Sequence, residues 1–291
     1  MTKLDIETEK KHILELLSNS NIKQAKSIEF QNDLVGNILP QFNLFTEVTV
    51  ERKIALGASK FGGRPDLPLN FRWPTNIFDN FPLSFFAQIN LSELPENYFS
   101  TNNGILYFFV DNRQISFNYQ NYHLNKCKVI YSSKNAILKR RVLPARLAYC
   151  YNEILANEND SLISDESRSI SFEETISIPL VGSLFYAKWN LDNLSWNEFC
   201  SEAKDYYETS QISMLGDYWT YQPLAIDTQK PSEYLNLLQL TNYTFENWDF
   251  IDTGLPETIR DETMASRNFL IRKQDFEDLK FDNVLIQDDW D

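Results

Sequence analysis

The stretch S59-K-F-G-G-R-P-D-L-P-L-N-F-R-W-P74 decides how the chain is read. It places two adjacent glycines, Gly62 and Gly63, and three prolines among Lys60, Arg64 and Arg72, in a chain with only 8 glycines and 11 prolines. Two readings stand side by side. The prolines fix φ and exclude helix, so R-P-D-L-P builds an extended, turning connection between strands, with Trp73 covering a core edge. Equally, Gly62 and Gly63 permit positive φ, and successive amides there form a nest for an anion, with Lys60 and Arg64 supplying charge.

Outward from this stretch the pattern is β-rich. Residues 43–56 alternate and carry β-branched side chains, which predicts a strand. The segments L-S-F-F-A-Q-I-N-L (83–91) and G-I-L-Y-F-F-V-D (104–111) read as short buried strands. Before them, apolar residues from Ile13 to Ile28 recur at helical spacing over 8–30, with a break at S-N-S-N. After them, residues 153–174 are polar and acidic and read as a loop or linker. Residues 195–208 predict a helix opened by a Ser195/Glu198 capping box. Residues 267–286 read as strand, short helix, strand. The organisation expected is an N-terminal helical segment (1–42), a first α+β half (43–152), a polar linker or insertion (153–178) and a second α+β half (179–291).

Two similar halves are expected because Gln88 in S-F-F-A-Q-I-N and Gln239 in L-N-L-L-Q-L-T lie 151 positions apart in matching apolar contexts. An amide among apolar side chains needs hydrogen-bond partners. Gln88 and Gln239 therefore either bond backbone in the core or face a cleft between the halves and bind a polar ligand.

These motifs resemble the YwqG-like family, a domain of unknown function (DUF1963). The carriers are S-K-F-G-G-R-P-D-L-P with R-W-P (59–74), P-L-S-F-F-A-Q-I-N-L-S-E-L-P (82–95) and G-I-L-Y-F-F-V-D (104–111), in the family's order and spacing. M-L-G-D-Y-W-T-Y-Q, L-N-L-L-Q-L-T-N and F-L-I-R-K-Q-D-F-E-D-L-K-F-D-N-V resemble its C-terminal segments. The Trp-Gly-Asp-type motif that precedes the family's last strands is absent from S-R-N-F-L-I. The resemblance implies an α+β fold of two similar halves and no established activity. It hints at partner binding, because some members are encoded near secreted-toxin genes.

The net charge of −14 argues against nucleic acid and against an anionic membrane surface as partners. Charge is also segregated: eight Lys or Arg and no acid lie between Asn112 and Asn152, whereas Thr241 to Asp291 holds 13 acids and five bases. These segments either neutralise one another or the first forms an anion-binding surface. Cys127, Cys150 and Cys200 are odd in number and widely spaced, which fits a reducing cytoplasm rather than a disulfide framework. The N-terminus shows no apolar signal-peptide core.

With His12 and His123 as the only histidines, no metal site is expected, and no cofactor motif or catalytic set is found. The spacing of His123 and Cys127 does not suit a strand-borne dyad. The expectation is a cytoplasmic, non-enzymatic α+β binding protein, an acidic inhibitor- or immunity-like protein for a basic partner protein. The alternative is an enzyme or small-molecule binder that takes a small anionic ligand in a cleft between the halves. The candidate ligand-binding residues are Lys60, Gly62, Gly63, Arg64, Trp73, Gln88 and Gln239, with no catalytic or metal residues.

Overall fold

A computed structural model describes residues 4–94, 103–111, 127–133, 136–147, 166–179, 184–206, 212–215, 234–241 and 264–290. Its centre is a two-stranded ribbon, β1 (Leu39–Val50) and β8 (Glu166–Ser177), antiparallel over their full length from Leu39↔Ser177 to Val50↔Glu166. The ribbon corrects the reading of 153–174 as loop: from Glu166 the chain is a central strand. Ile170, Phe172 and Ile176 supply its alternation, while the intervening Ser, Thr and Glu make its composition look loop-like. The strand expected over 43–56 is also shifted, since Glu51–Lys53 closes it as a 3-10 turn.

On one side of the ribbon lie β2 (Lys60–Gly62), β4 (Ser84–Asn90), β5 (Ile105–Val110) and β6 (Cys127–Ser132). On the other lie β9 (Ile212–Met214), β10 (Tyr234–Thr241), β11 (Met264–Arg272) and β12 (Leu285–Trp290). The ten strands form one antiparallel sheet in the order β12-β11-β10-β9-β1-β8-β2-β4-β5-β6. A separate ribbon pairs β3 (Asp66–Pro68) with β7 (Leu138–Arg140).

The sheet curls until its arms share one interior. Phe269 of β11 packs on Phe86 of β4 and Phe108 of β5, with ring centroids 5.6 and 5.1 Å apart. Near the far edges, the Cys127 thiol of β6 donates to the Val284 carbonyl, just before β12, at 3.7 Å. Strand β5 is apolar throughout because both of its faces are covered. Leu106, Phe108 and Val110 join the shared interior, while Ile105, Tyr107 and Phe109 join an outer cluster with Leu67, Leu83 and Phe85.

Helices cover the end of the ribbon where β1 begins. The helix expected over 8–30 is two: α1 (Ile6–Asn19), capped by Asp5 accepting from the Glu7 amide, and α2 (Ile28–Asn37), capped by Ser27 accepting from the Phe30 amide. They pack with α3 (Leu184–Trp189) and α4 (Asn193–Tyr206) around Phe30, Phe185, Trp196 and Phe199. Helix α4 starts before the expected Ser195/Glu198 box. Asp192 performs the capping, accepting from both the amide and the hydroxyl of Ser195 at 2.9 and 2.8 Å. A short helix α5 (Lys273–Glu277) joins β11 to β12. No described helix is long and apolar enough to cross a membrane.

Candidate functional site: a buried clasp and the cavity beside it

The opening stretch turns back on itself through Gly62 (φ 64°) and Gly63 (φ 67°), both left-handed. Only glycine fits at Gly63. A Cβ there would stand 2.6 Å from Glu51 Oε1 and 2.8 Å from the Ser167 Cβ. The amide that follows, on Arg64, donates to Glu51 Oε1. The anion held at this turn is thus the carboxylate of Glu51, from the turn that ends β1.

Lys60 is fully buried. Its ammonium donates to Glu51 Oε1 at 3.1 Å and to the Arg64 carbonyl at 2.6 Å, and lies 3.6 Å from Asp66 Oδ2. Asp66, also fully buried, accepts from the Gly57 amide (2.9 Å), from Gln88 Nε2 (3.0 Å) and from Arg140 through Nε (2.8 Å) and Nη2 (3.1 Å). Arg140 also donates to the carbonyls of Glu51 and Ile54. The Tyr107 hydroxyl donates to the Asp66 carbonyl at 2.6 Å. Two carboxylates and two cations cancel in charge, and their mutual hydrogen bonds offset part of their desolvation.

The ionisation of these groups follows. Burial pulls Lys60 down, only partly countered by Asp66 and Glu51. Burial would raise Asp66, but the Arg140 guanidinium, Lys60 and the Gly57 and Gln88 donors outweigh it, leaving the carboxyl below its usual range. Tyr107 is pushed upward by burial and by the neighbouring Asp66 charge.

Gln88 is fully buried inside this clasp. Its Oε1 accepts from the Asp66 amide at 2.8 Å and its Nε2 donates to the Ala58 carbonyl at 2.7 Å. Asn90 Nδ2 donates to the Gly57 carbonyl at 3.0 Å, and Glu93 accepts from the Ser59 amide at 3.1 Å. The motif A-Q-I-N-x-x-E is thereby a row of three side chains that pin residues 57–59. Trp73 is half-buried, donates to the Leu83 carbonyl at 2.8 Å and meets Phe109 edge-on at 5.4 Å.

The structure brings Lys60, Gly62, Gly63, Arg64 and Gln88 together, and places Gln239 elsewhere. Gln239 is half-buried on β10 opposite Ser213, and four strands separate β10 from β4. Sequence reasoning missed Glu51, Asp66 and Arg140. Asp66 was in view inside R-P-D-L-P, but nothing local marks it as the acceptor of a guanidinium 74 residues away.

A cavity of about 570 Å³ opens beside the clasp, where the uncapped end of the β1–β8 ribbon meets residues 53–59. Its charged groups are Glu47, Glu93 and Lys53, and Val48 and Val50, about half exposed, stand at its wall. Neither this cavity nor the smaller one adjoining it along the ribbon is lined by Gln88 or Gln239. Among the described residues no cluster of His, Cys, Asp or Glu is arranged to hold a metal ion. His123 and Cys150 lie outside the described residues.

Fold and site together define an α+β protein in which a curled antiparallel sheet is locked at one end by a buried ionic clasp. Residues 59–290 match the family model described as domain of unknown function (DUF1963), and the chain belongs to that family. No curated protein matches the sequence.

Proposed function

We propose that the chain is a non-enzymatic binding protein that takes a basic side chain of a protein partner into the cavity beside the clasp. The observation that carries this reading is the lining, whose charged residues are two carboxylates, Glu47 and Glu93, and one ammonium, Lys53, together with the exposed Val48 and Val50. A net charge of −14 would steer a basic partner toward it. The glycine turn offers a foreign anion little, since Glu51 already occupies its amide. We further read the fold as two similar halves in a cytoplasmic protein. Supporting the halves, the strand order runs outward from the β1–β8 pair through a three-residue strand and then three longer ones in both directions. The bulges also correspond, Phe86 in β4 and Leu237 in β10 being the extra residues, at the same 151-residue spacing as Gln88 and Gln239.

Binding of a labelled lysine-containing peptide and of its norleucine counterpart to the full chain tests the proposal. The lysine peptide is expected to bind in a salt-sensitive way, and Glu47→Gln with Glu93→Gln to weaken it by about tenfold or more. Equal affinity for both peptides, or no effect of the double substitution, overturns it.

A further inference from the structure

We propose that a second surface, formed by residues 69–81 and 136–147, binds an acidic segment of a partner protein that interleaves Asp or Glu with large apolar side chains. The surface is independent of the cavity at Glu47 and Glu93. Its apolar part is unusually open: Leu69 is 50% exposed, Ile77 64%, Phe78 75%, and Ile137 and Val142 73% each. Isolated exposed apolar residues are ordinary, but a grouped set marks a contact surface.

Hydrogen bonds show that these residues are grouped. The Leu69 amide donates to the Ile137 carbonyl at 3.1 Å, and the Arg141 guanidinium donates to the Leu69 carbonyl at 3.3 Å. At the other end, Arg146 donates to the Asn80 carbonyl at 3.4 Å and lies over the Phe81 ring at 5.0 Å. Arg141 and Arg146 are five positions apart, a span of at most about 18 Å, so the two apolar ends lie close to one another.

The charge on this face runs against the rest of the molecule. Arg72, Lys139 and Arg146 are exposed and Arg141 is half-exposed. Among the described residues, none of the four is ion-paired with a carboxylate; the run's other arginine, Arg140, is the one committed to Asp66. The acid within the face is Asp79, whose Oδ1 accepts from the Phe81 amide at 3.0 Å. Side chains that combine apolar area with guanidinium groups suit a partner offering both apolar anchors and carboxylates. Nucleic acid would use the cations and waste the apolar area. An anionic membrane would use both, and the vesicle comparison in the test separates it from a protein segment.

The probe is a fluorescent synthetic peptide of alternating Glu and Leu, titrated against the full chain, with a Lys–Leu peptide and anionic phospholipid vesicles as comparisons. The Glu–Leu peptide is expected to bind, with affinity falling as salt rises. Lys139→Glu with Arg141→Glu is expected to weaken it by about tenfold or more, as is Ile137→Ser with Val142→Ser, while Glu47→Gln with Glu93→Gln leaves it unchanged. All four substituted positions on the surface are at least half-exposed or at its edge, and the melting temperature reports whether each variant folds. If a variant does not fold, the salt titration of the unsubstituted chain decides. Salt-independent binding, undiminished binding to the charge-reversed variant, preference for the Lys–Leu peptide, or adsorption to vesicles without peptide binding would each overturn the proposal.

Discussion

Gly63 and Asp66 show how a stretch that looks built for a ligand can be consumed by the fold itself. The sequence exposes the need for glycine, because two in a row beside prolines have few other uses. It does not expose what fills the turn. Glu51 lies 13 residues from the amide it accepts, at the end of a strand whose closure is visible only in three dimensions. Asp66 gives the sharpest consequence at this scale. Its folded pKa lies below its unfolded value near 3.8, so it contributes stability above that pH and loses the contribution as pH falls through the folded value. Lys60 acts in the opposite sense. Burial lowers it, so its protonation opposes folding, and the opposition fades as pH rises from the folded value toward the usual 10.5. Asp66→Asn is therefore expected to cost about 3–5 kcal/mol at neutral pH by breaking a buried pair. It should also flatten the acid limb of the stability curve below about pH 4. Urea midpoints across that range check both, and an acid limb as steep in the variant as in the parent contradicts the assignment.

At the scale of elements, L-S-F-F-A-Q-I-N-L was legible as a strand, and its two faces explain why its composition looks wholly buried. One face enters the shared interior through Ala87 and Ile89. The other carries Gln88, and with Asn90 and Glu93 beyond it grips the backbone of Gly57, Ala58 and Ser59. Strand β8 was the element least legible. Its inward positions are few enough, and its outward ones polar enough, that only pairing with β1 along all 12 residues reveals it. The amide of Gln88 has a measurable job at this level. Gln88→Leu keeps the volume and removes both the acceptor for the Asp66 amide and the donor to the Ala58 carbonyl. Each buried group left unpaired costs about 1–3 kcal/mol. The variant should be destabilised by a few kcal/mol, and the Asp66 amide should lose protection from hydrogen exchange before the amides of β5 do. If Asp66 and β5 exchange together, the loop is not pinned by this side chain.

For the whole molecule, the question is whether the two arms of the sheet behave as separate domains. Their matched strand order would allow each to have begun as an independent unit. The interior says that they no longer act as such, because Phe61, Phe86 and Phe108 from one arm and Leu238, Phe269 and Ile286 from the other belong to a single buried cluster. Two domains with separate cores would unfold in two steps, whereas a continuous core couples them. Phe269 is the place to test this, since its ring touches Phe86 and Phe108 across the interior and is itself fully buried. Truncation to Ala should cost about 3–5 kcal/mol. The loss is expected to be global: the amides of Tyr107 in β5 and Leu238 in β10 should lose equal exchange protection, and calorimetric and van't Hoff enthalpies should stay equal. A loss of protection confined to β10, β11 and β12, or a transition that splits in two, would mean that the arms fold separately and that the shared interior is only an interface between them.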